Sequence, residues 1–152
     1  MDNELLLMKL IQTLQLFSEF SEKDFSGRYG NLNMNEVHAI DYIGRTEYAN
    51  VTKITQHLQI TKGAVTKITK RLMNSGYISS YKREENRKEK YFRLTNEGMD
   101  IFTIHGKVHM ESVERDKQIF ELFNEDEKDV IARFLDTLKD DIEYKLKNAG
   151  DI

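Results

Sequence analysis

The 152-residue sequence contains no Cys, no Pro and no Trp. Without Cys the chain has no disulfide framework, no thiolate metal site and no thiol redox chemistry, including peroxide sensing. Without Pro, nothing forces a break in a long helix. No stretch approaches the roughly 20 apolar residues of a membrane-spanning helix. The apolar run in MDNELLLMKL follows acidic residues and lacks the basic front and small-residue cleavage site of a signal peptide. A Gly-rich phosphate loop and a G-x-S-x-G elbow are also missing, and acid pairs such as Asp140–Asp141 or Glu84–Glu85 are adjacent, so they do not face each other on a helix. These absences leave one soluble, cytoplasmic, non-enzymatic domain with no membrane partner, long enough to bury a core.

The net charge of −3 hides an asymmetry. Residues 51–94 carry eleven Lys/Arg against three acids (Glu84, Glu85, Glu89), a local charge of +8, while the remainder holds 12 basic and 23 acidic residues, or −11. A solvated charged surface is the ordinary reading of such residues. A sign asymmetry this large points instead to one region facing a polyanion.

Hydrophobic periodicity organises the chain. Residues 4–20 read as a helix, with Leu6, Leu10, Leu14 and Phe17 on a stripe widened by Leu7, Ile11 and Phe20. The polar, Gly-containing segment SEKDFSGRYGNLN (21–33) reads as a loop. Helices follow at 34–45, capped by Asn33, at about 51–58, capped by Asn50, and at about 62–74, capped by Thr61 and closed by Gly76. Residues 77–82 and 90–94 alternate as a short hairpin around a charged turn at 83–89. A long helix from Thr95 to about Phe120 and a last one from Asn124 to about Lys147 complete the chain, the last with a stripe including Ile131, Phe134, Leu138 and Ile142.

Two helices joined by a short turn, then a basic hairpin, make a winged helix–turn–helix. Only a helix or a two-stranded ribbon fits the major groove. Val65, Ile68 and Leu72 share the inner face of the fourth helix; Gly63, Thr66, Lys67 and Lys70 lie opposite. Gly63 and Thr66 are small enough to let the helix approach base edges, Lys67, Lys70 and Arg71 can reach bases or phosphates, and Lys62 sits at a helix N-terminus suited to a phosphate. Arg83, Arg87 and Lys88 are expected in the turn of the wing, with Arg87 near its tip and placed to enter a minor groove. The partner expected is double-stranded DNA. A winged helix used as a protein-interaction module is the competing class, disfavoured by the charge of the wing. The first and last helices carry stripes broader than one small domain covers, so a homodimer is expected to bury them and to set two reading helices about one DNA turn apart.

The stretch ITKGAVTKITKRLMNSGYISSYKREENRKEKYFRLTNEG, residues 60–98, resembles the MarR family of bacterial regulators, from the reading helix through the NSGYI helix exit and the wing to the LTNEG start of the next helix. Family wings usually carry Asp-x-Arg; here the string is Glu85–Asn86–Arg87, so the Arg matches and the Asp does not. The resemblance implies a mainly α fold with a small β-hairpin wing. In that single domain, 1–32 and 96–152 form a helical dimerisation region and 33–95 the winged helix–turn–helix lobe. It also implies a homodimer that binds a pseudopalindromic operator and represses.

Four His raise the question of an effector. His57 lies in the DNA-binding block and reads as a polar or phosphate-contacting surface residue. His105 and His109 are four apart on a helix, a spacing that lets two imidazoles chelate one metal, although a pair of half-buried, hydrogen-bonded His is the plainer reading. Similarity to the zinc-uptake repressors of the MarR family implies a Zn²⁺ site made of His38, His105, His109 and a carboxylate from Glu19 or Glu22. The sequence departs from those repressors in lacking Cys for their second site and a His-rich run around His105. A small aromatic anion, also common as an effector in the family, and no effector at all remain open.

Overall fold

Side-chain caps decide where the helices of this chain begin. The computed structural model describes residues 1–149. Asp2 caps α1 (Asn3–Phe25), Asn33 caps α2 (Met34–Arg45), Asn50 caps α3 (Val51–Leu58) and Thr61 caps α4 (Lys62–Asn74), each accepting a backbone N–H of the first turn. At α2 the cap is reciprocal: Glu36 N–H donates to Asn33 Oδ1 and Asn33 N–H donates to Glu36 Oε2, both at 2.9 Å. A left-handed Gln59 (φ +55°) makes the turn between α3 and α4. The hairpin is β1 (Ile78–Arg83) with β2 (Asn86–Leu94), then come α5 (Asn96–Asp116), a 3-10 helix (Lys117–Leu122) and α6 (Glu125–Asn148).

The described chain forms two compact units, the first Met1–Lys107 and the second beginning at Val108, with the boundary inside α5. In the first, Val37, Ile40 and Ile43 of α2, Ile54 of α3, Val65 and Leu72 of α4, Ile78 of β1 and Phe92 of β2 form one core. These are the inward faces that the 3.6-residue periodicity predicts for α2, α3 and α4. Phe92 N–H donates to the Ala49 carbonyl at 2.9 Å, so the segment before α3 borders the hairpin. In the second unit, α6 has its own reciprocal cap, Asn124 with Glu127, and buries none of its residues. No helix among the described residues is long and apolar enough to cross a membrane.

Three boundaries differ from expectation. α1 continues five residues past Phe20 to Phe25. The charged run read as loop extends it, with Lys23 Nζ on Glu19 Oε1 at 2.8 Å one turn apart. α5 stops at Asp116, and the chain tightens into the 3-10 helix where an unbroken helix to Phe120 is expected. The turn of the wing is only Glu84–Glu85; Arg83 belongs to β1, and Arg87 and Lys88 belong to β2. The hairpin is longer than expected because its distal register shifts between Tyr81 and Arg83, which absorbs the charged residues into strand.

Candidate nucleic-acid interface

α4 has one buried face and one exposed face. Val65 and Leu72 are fully buried, and Thr69, also buried, donates its hydroxyl to the Thr66 carbonyl at 3.1 Å. Lys62, Gly63, Thr66, Lys67 and Lys70 are all exposed on the outer surface. Thr61 Oγ1 accepts the Ala64 N–H at 3.2 Å, which leaves other first-turn N–H groups of α4 beside Lys62 for an anion. Arg71 has a different partner: its guanidinium lies 3.0 Å from Glu36 Oε1, and it donates to the Asn31 carbonyl at 3.4 Å. Glu36 is only 1% exposed, so Arg71 neutralises the buried carboxylate that caps α2.

The wing divides its cations into two groups. Arg83 lies over the Tyr48 ring, 3.6 Å from its centroid, and 3.6 Å from Glu85 Oε2. Arg93 lies 4.4 Å over Tyr81. Arg87 and Lys88 are exposed, and neither side chain forms an ion pair among the described residues. Lys82 Nζ donates to the Arg87 carbonyl at 2.9 Å and ties the shifted part of the hairpin together.

A polar cluster lies in the same unit between α2 and α5. The His38 and His105 rings meet edge-on with centroids 5.6 Å apart. His105 Nδ1 is 3.1 Å from Asp41 Oδ1, and Arg45 pairs with the other oxygen of the same carboxylate. Burial, then the charge of His105, holds the His38 pKa below its ordinary value. Of the other residues expected to bind metal, Glu19 bonds Lys23, Glu22 lines a hollow with Phe25 and Tyr29, and His109 lies past Lys107 in the second unit. Among the described residues no group of three or more His, Cys, Asp or Glu is arranged to hold a metal ion. Within the unit Met1–Lys107 the structure brings His38 and His105 together and sets Asp41 beside His105. His57, read as a surface residue, is exposed and stacks on Tyr42 with centroids 4.4 Å apart.

The MarR family model matches residues 32–90, from the loop before α2 into the wing. The HTH-type transcriptional regulator PchR of Bacillus subtilis is 34% identical over 129 residues, which cover 85% of this chain and 75% of PchR. The chain belongs to the MarR family. It spans a smaller share, 58% and 64%, of two further HTH-type regulators of the same organism. Among solved structures, the MarR-family chain is similar to Streptococcus pneumoniae FabT in complex with DNA, at a TM-score of 0.75 and 26% identity over 93% of this chain and 98% of that one. It also shares its fold with a zinc-responsive MarR family member, Lactococcus lactis ZitR, at a TM-score of 0.74 and 21% identity over 90% and 99% of the two chains. This MarR-family protein is a winged-helix, DNA-binding transcriptional regulator, and its relatives are regulators rather than enzymes.

Two buried carboxylates of this MarR-family chain are visible in the sequence of α2. Glu36 and Asp41 interrupt the apolar face of α2, and each is at most 9% exposed. A carboxylate inside a hydrophobic stripe is a signal of pairing, because an unpaired buried charge is costly. For Asp41 one partner, Arg45, is legible four residues on the same helix, whereas the other, His105, is 64 residues away.

Proposed function

We propose that the protein acts as a homodimeric repressor on a pseudopalindromic operator, with α4 in the major groove and the β1–β2 wing in the minor groove. The carrying observation is that the outer face of α4 (Gly63, Thr66, Lys67, Lys70) and the two unengaged wing cations, Arg87 and Lys88, lie in one unit and inside the +8 block. Gly63 lets the helix backbone come close to base edges, and Lys67 and Lys70 supply base or phosphate contacts. The homodimer is supported by the apolar side chains that α1 and α6 leave exposed, among them Leu14, Phe17, Phe134 and Leu135.

The test is duplex binding measured across a salt series. Affinity should fall steeply with salt, with a slope of about −0.9 per phosphate neutralised. Arg87→Ala should cost about 1–3 kcal/mol and should hurt most on sites with A·T-rich flanks. Affinity that is flat between low and moderate salt would reject the DNA reading; an equal loss on all sequences would reject minor-groove readout by Arg87.

A second reading concerns the effector. We infer that the His38–His105 pair is where an effector, with Zn²⁺ favoured, acts on DNA affinity. The observation behind it is the contact of Asp41 with His105 Nδ1, the bracing that metal-bound imidazoles usually have from a carboxylate. Two imidazoles are half of a tetrahedral set, so the described residues fit the metal only in part, and no step is routed through it. A metal would act by favouring the conformation it binds better. Zn²⁺ titrated into metal-free protein should bind stoichiometrically, and His38→Ala should abolish this; unchanged tight binding in the variant would remove the pair from the site.

A further inference from the structure

Beside the reading helix, the wing poses a separate question: what fixes a two-stranded ribbon that would by itself be marginally stable. One anchor is the backbone bond from Phe92 N–H to the Ala49 carbonyl. The residue before Ala49 is Tyr48, whose φ of +56° lies in the left-handed region that a bulky side chain rarely adopts. The Tyr48 ring receives the Arg83 guanidinium at 3.6 Å and meets Tyr91 edge-on at 5.9 Å. Tyr91 in turn meets Tyr81 at 5.7 Å, its direct partner in the hairpin register, and Arg93 covers Tyr81. The result is a row of three touching rings, capped by Arg83 on Tyr48 and by Arg93 on Tyr81, that runs from the α2–α3 segment into the hairpin.

Arg83 stands where this row meets the register shift. Below it, strands pair regularly from Ile78↔Leu94 to Tyr81↔Tyr91; beyond it the pairing slips to Arg83↔Asn86, and Arg87 to Lys90 fill the difference on β2. With its guanidinium over Tyr48 and beside Glu85, Arg83 is occupied, and its side chain is only 29% exposed. Arg87, four residues on, is exposed. A guanidinium over a tyrosine face is held by the ring quadrupole, and withdrawing it to reach a phosphate would forfeit that attraction.

We propose that Tyr48 and Arg83 form a latch that fixes the wing against the α2–α3 segment, so that Arg83 is a positioning residue and Arg87 is the one presented to DNA. Glu85 in the tip adds a charge partner, 3.6 Å from Arg83 Nε. The assignment to DNA rests on the function proposed above; the latch itself does not.

Two measurements on the intact protein separate them. The first is amide hydrogen exchange of residues 82–92 in the absence of DNA. Tyr48→Leu and Arg83→Met should each speed wing exchange, roughly two- to five-fold, the range of an exposed cation–π contact, while Tyr48→Phe, which keeps the ring, should stay near wild type. Wing exchange that is unchanged in Tyr48→Leu, or as fast in Tyr48→Phe, overturns the latch. The second is a double-mutant cycle on duplex DNA across salt. Arg83→Met should weaken binding in the parent and should change neither affinity nor salt slope once Arg87→Ala is present. If Arg83→Met instead removes a further increment of slope in the Arg87→Ala background, Arg83 itself touches phosphate and its positioning role is overturned. If exchange rises as expected but Arg87→Ala leaves DNA binding untouched, the latch stands and the wing reading of the function falls.

Discussion

The surroundings of His38 give it a pH dependence of definite sign. Burial and the neighbouring His105 disfavour its charged form, so its pKa in the folded protein lies below the 6.5 of an ordinary His. The unfolded chain then binds the proton more readily than the folded one. Stability from this group is complete above about pH 6.5 and is lost as the pH falls through the lower folded value. Asp41, on the same helix, favours the charged form but is third among the causes. In chelator-containing buffer, the urea midpoint should therefore drop between about pH 7 and about pH 5, and His38→Asn should flatten part of that drop. An identical pH profile in the variant would show that the His38 proton is not linked to folding. Acidification would also displace a bound cation from the pair, so the two effects are separable only in metal-free protein. At the same scale, Arg71 sits on the reading helix yet serves the buried Glu36, a use that its position in the basic block conceals.

At the scale of elements, the join between α4, β1 and α5 explains why two sequence motifs so far apart belong together. Gly76, left-handed at φ +81°, ends α4, and Thr95, just before α5, donates its hydroxyl to the Gly76 carbonyl at 2.6 Å while its N–H donates to Tyr77 O at 3.1 Å. Thr95 Oγ1 then accepts the Gly98 N–H at 3.1 Å and so caps α5. A Cβ on Gly98 would fall far inside contact distance of the Tyr77 carbonyl oxygen. Gly→Ala inside a helix ordinarily gains up to about 1 kcal/mol, whereas forcing an atom against fixed backbone costs about 1–3 kcal/mol. Gly98→Ala should therefore destabilise the protein, seen as a lower urea midpoint at unchanged slope; a gain in stability would mean that α5 can shift away from β1. The same local logic explains what could be read in advance. α2, α3 and α4 match because each has a side-chain cap and an apolar face, both visible within a dozen residues. α1 ran past its expected end because charged residues extend a helix as readily as they make a loop. The wing tip was misplaced because a register shift depends on which residues pair across the hairpin. The His105–Asp41 and Arg83–Tyr48 contacts join residues brought together only by the fold.

At the scale of the whole molecule, the charge partition and the apolar faces make one argument. The +8 of residues 51–94 lies in the helix–turn–helix and wing, and the −11 summed over the rest of the chain disfavours a phosphate backbone there on balance. In the proposed dimer, binding then falls on one small face per protomer, too few contacts for high specificity unless two faces act together. α1 buries none of its 23 residues, and α6 none of its 24. Leu6, Leu14, Phe17 and Phe20 on one helix, and Phe134, Leu135, Ile142 and Leu146 on the other, are each more than 40% exposed. Monomeric soluble proteins rarely leave apolar patches of that extent in water. In the proposed dimer a second copy covers them, and the two reading faces then share one operator. Leu14→Glu combined with Phe134→Glu places charge on both helices without touching the core around Ile40, Ile54 and Leu72. The variant should sediment as a folded monomer, keep weak salt-sensitive binding to any duplex, and lose roughly a hundredfold or more in operator affinity, because the second half-site is no longer held at high effective concentration. If that monomer still bound the operator as tightly as the parent, the apolar faces of α1 and α6 would have to serve something other than self-association.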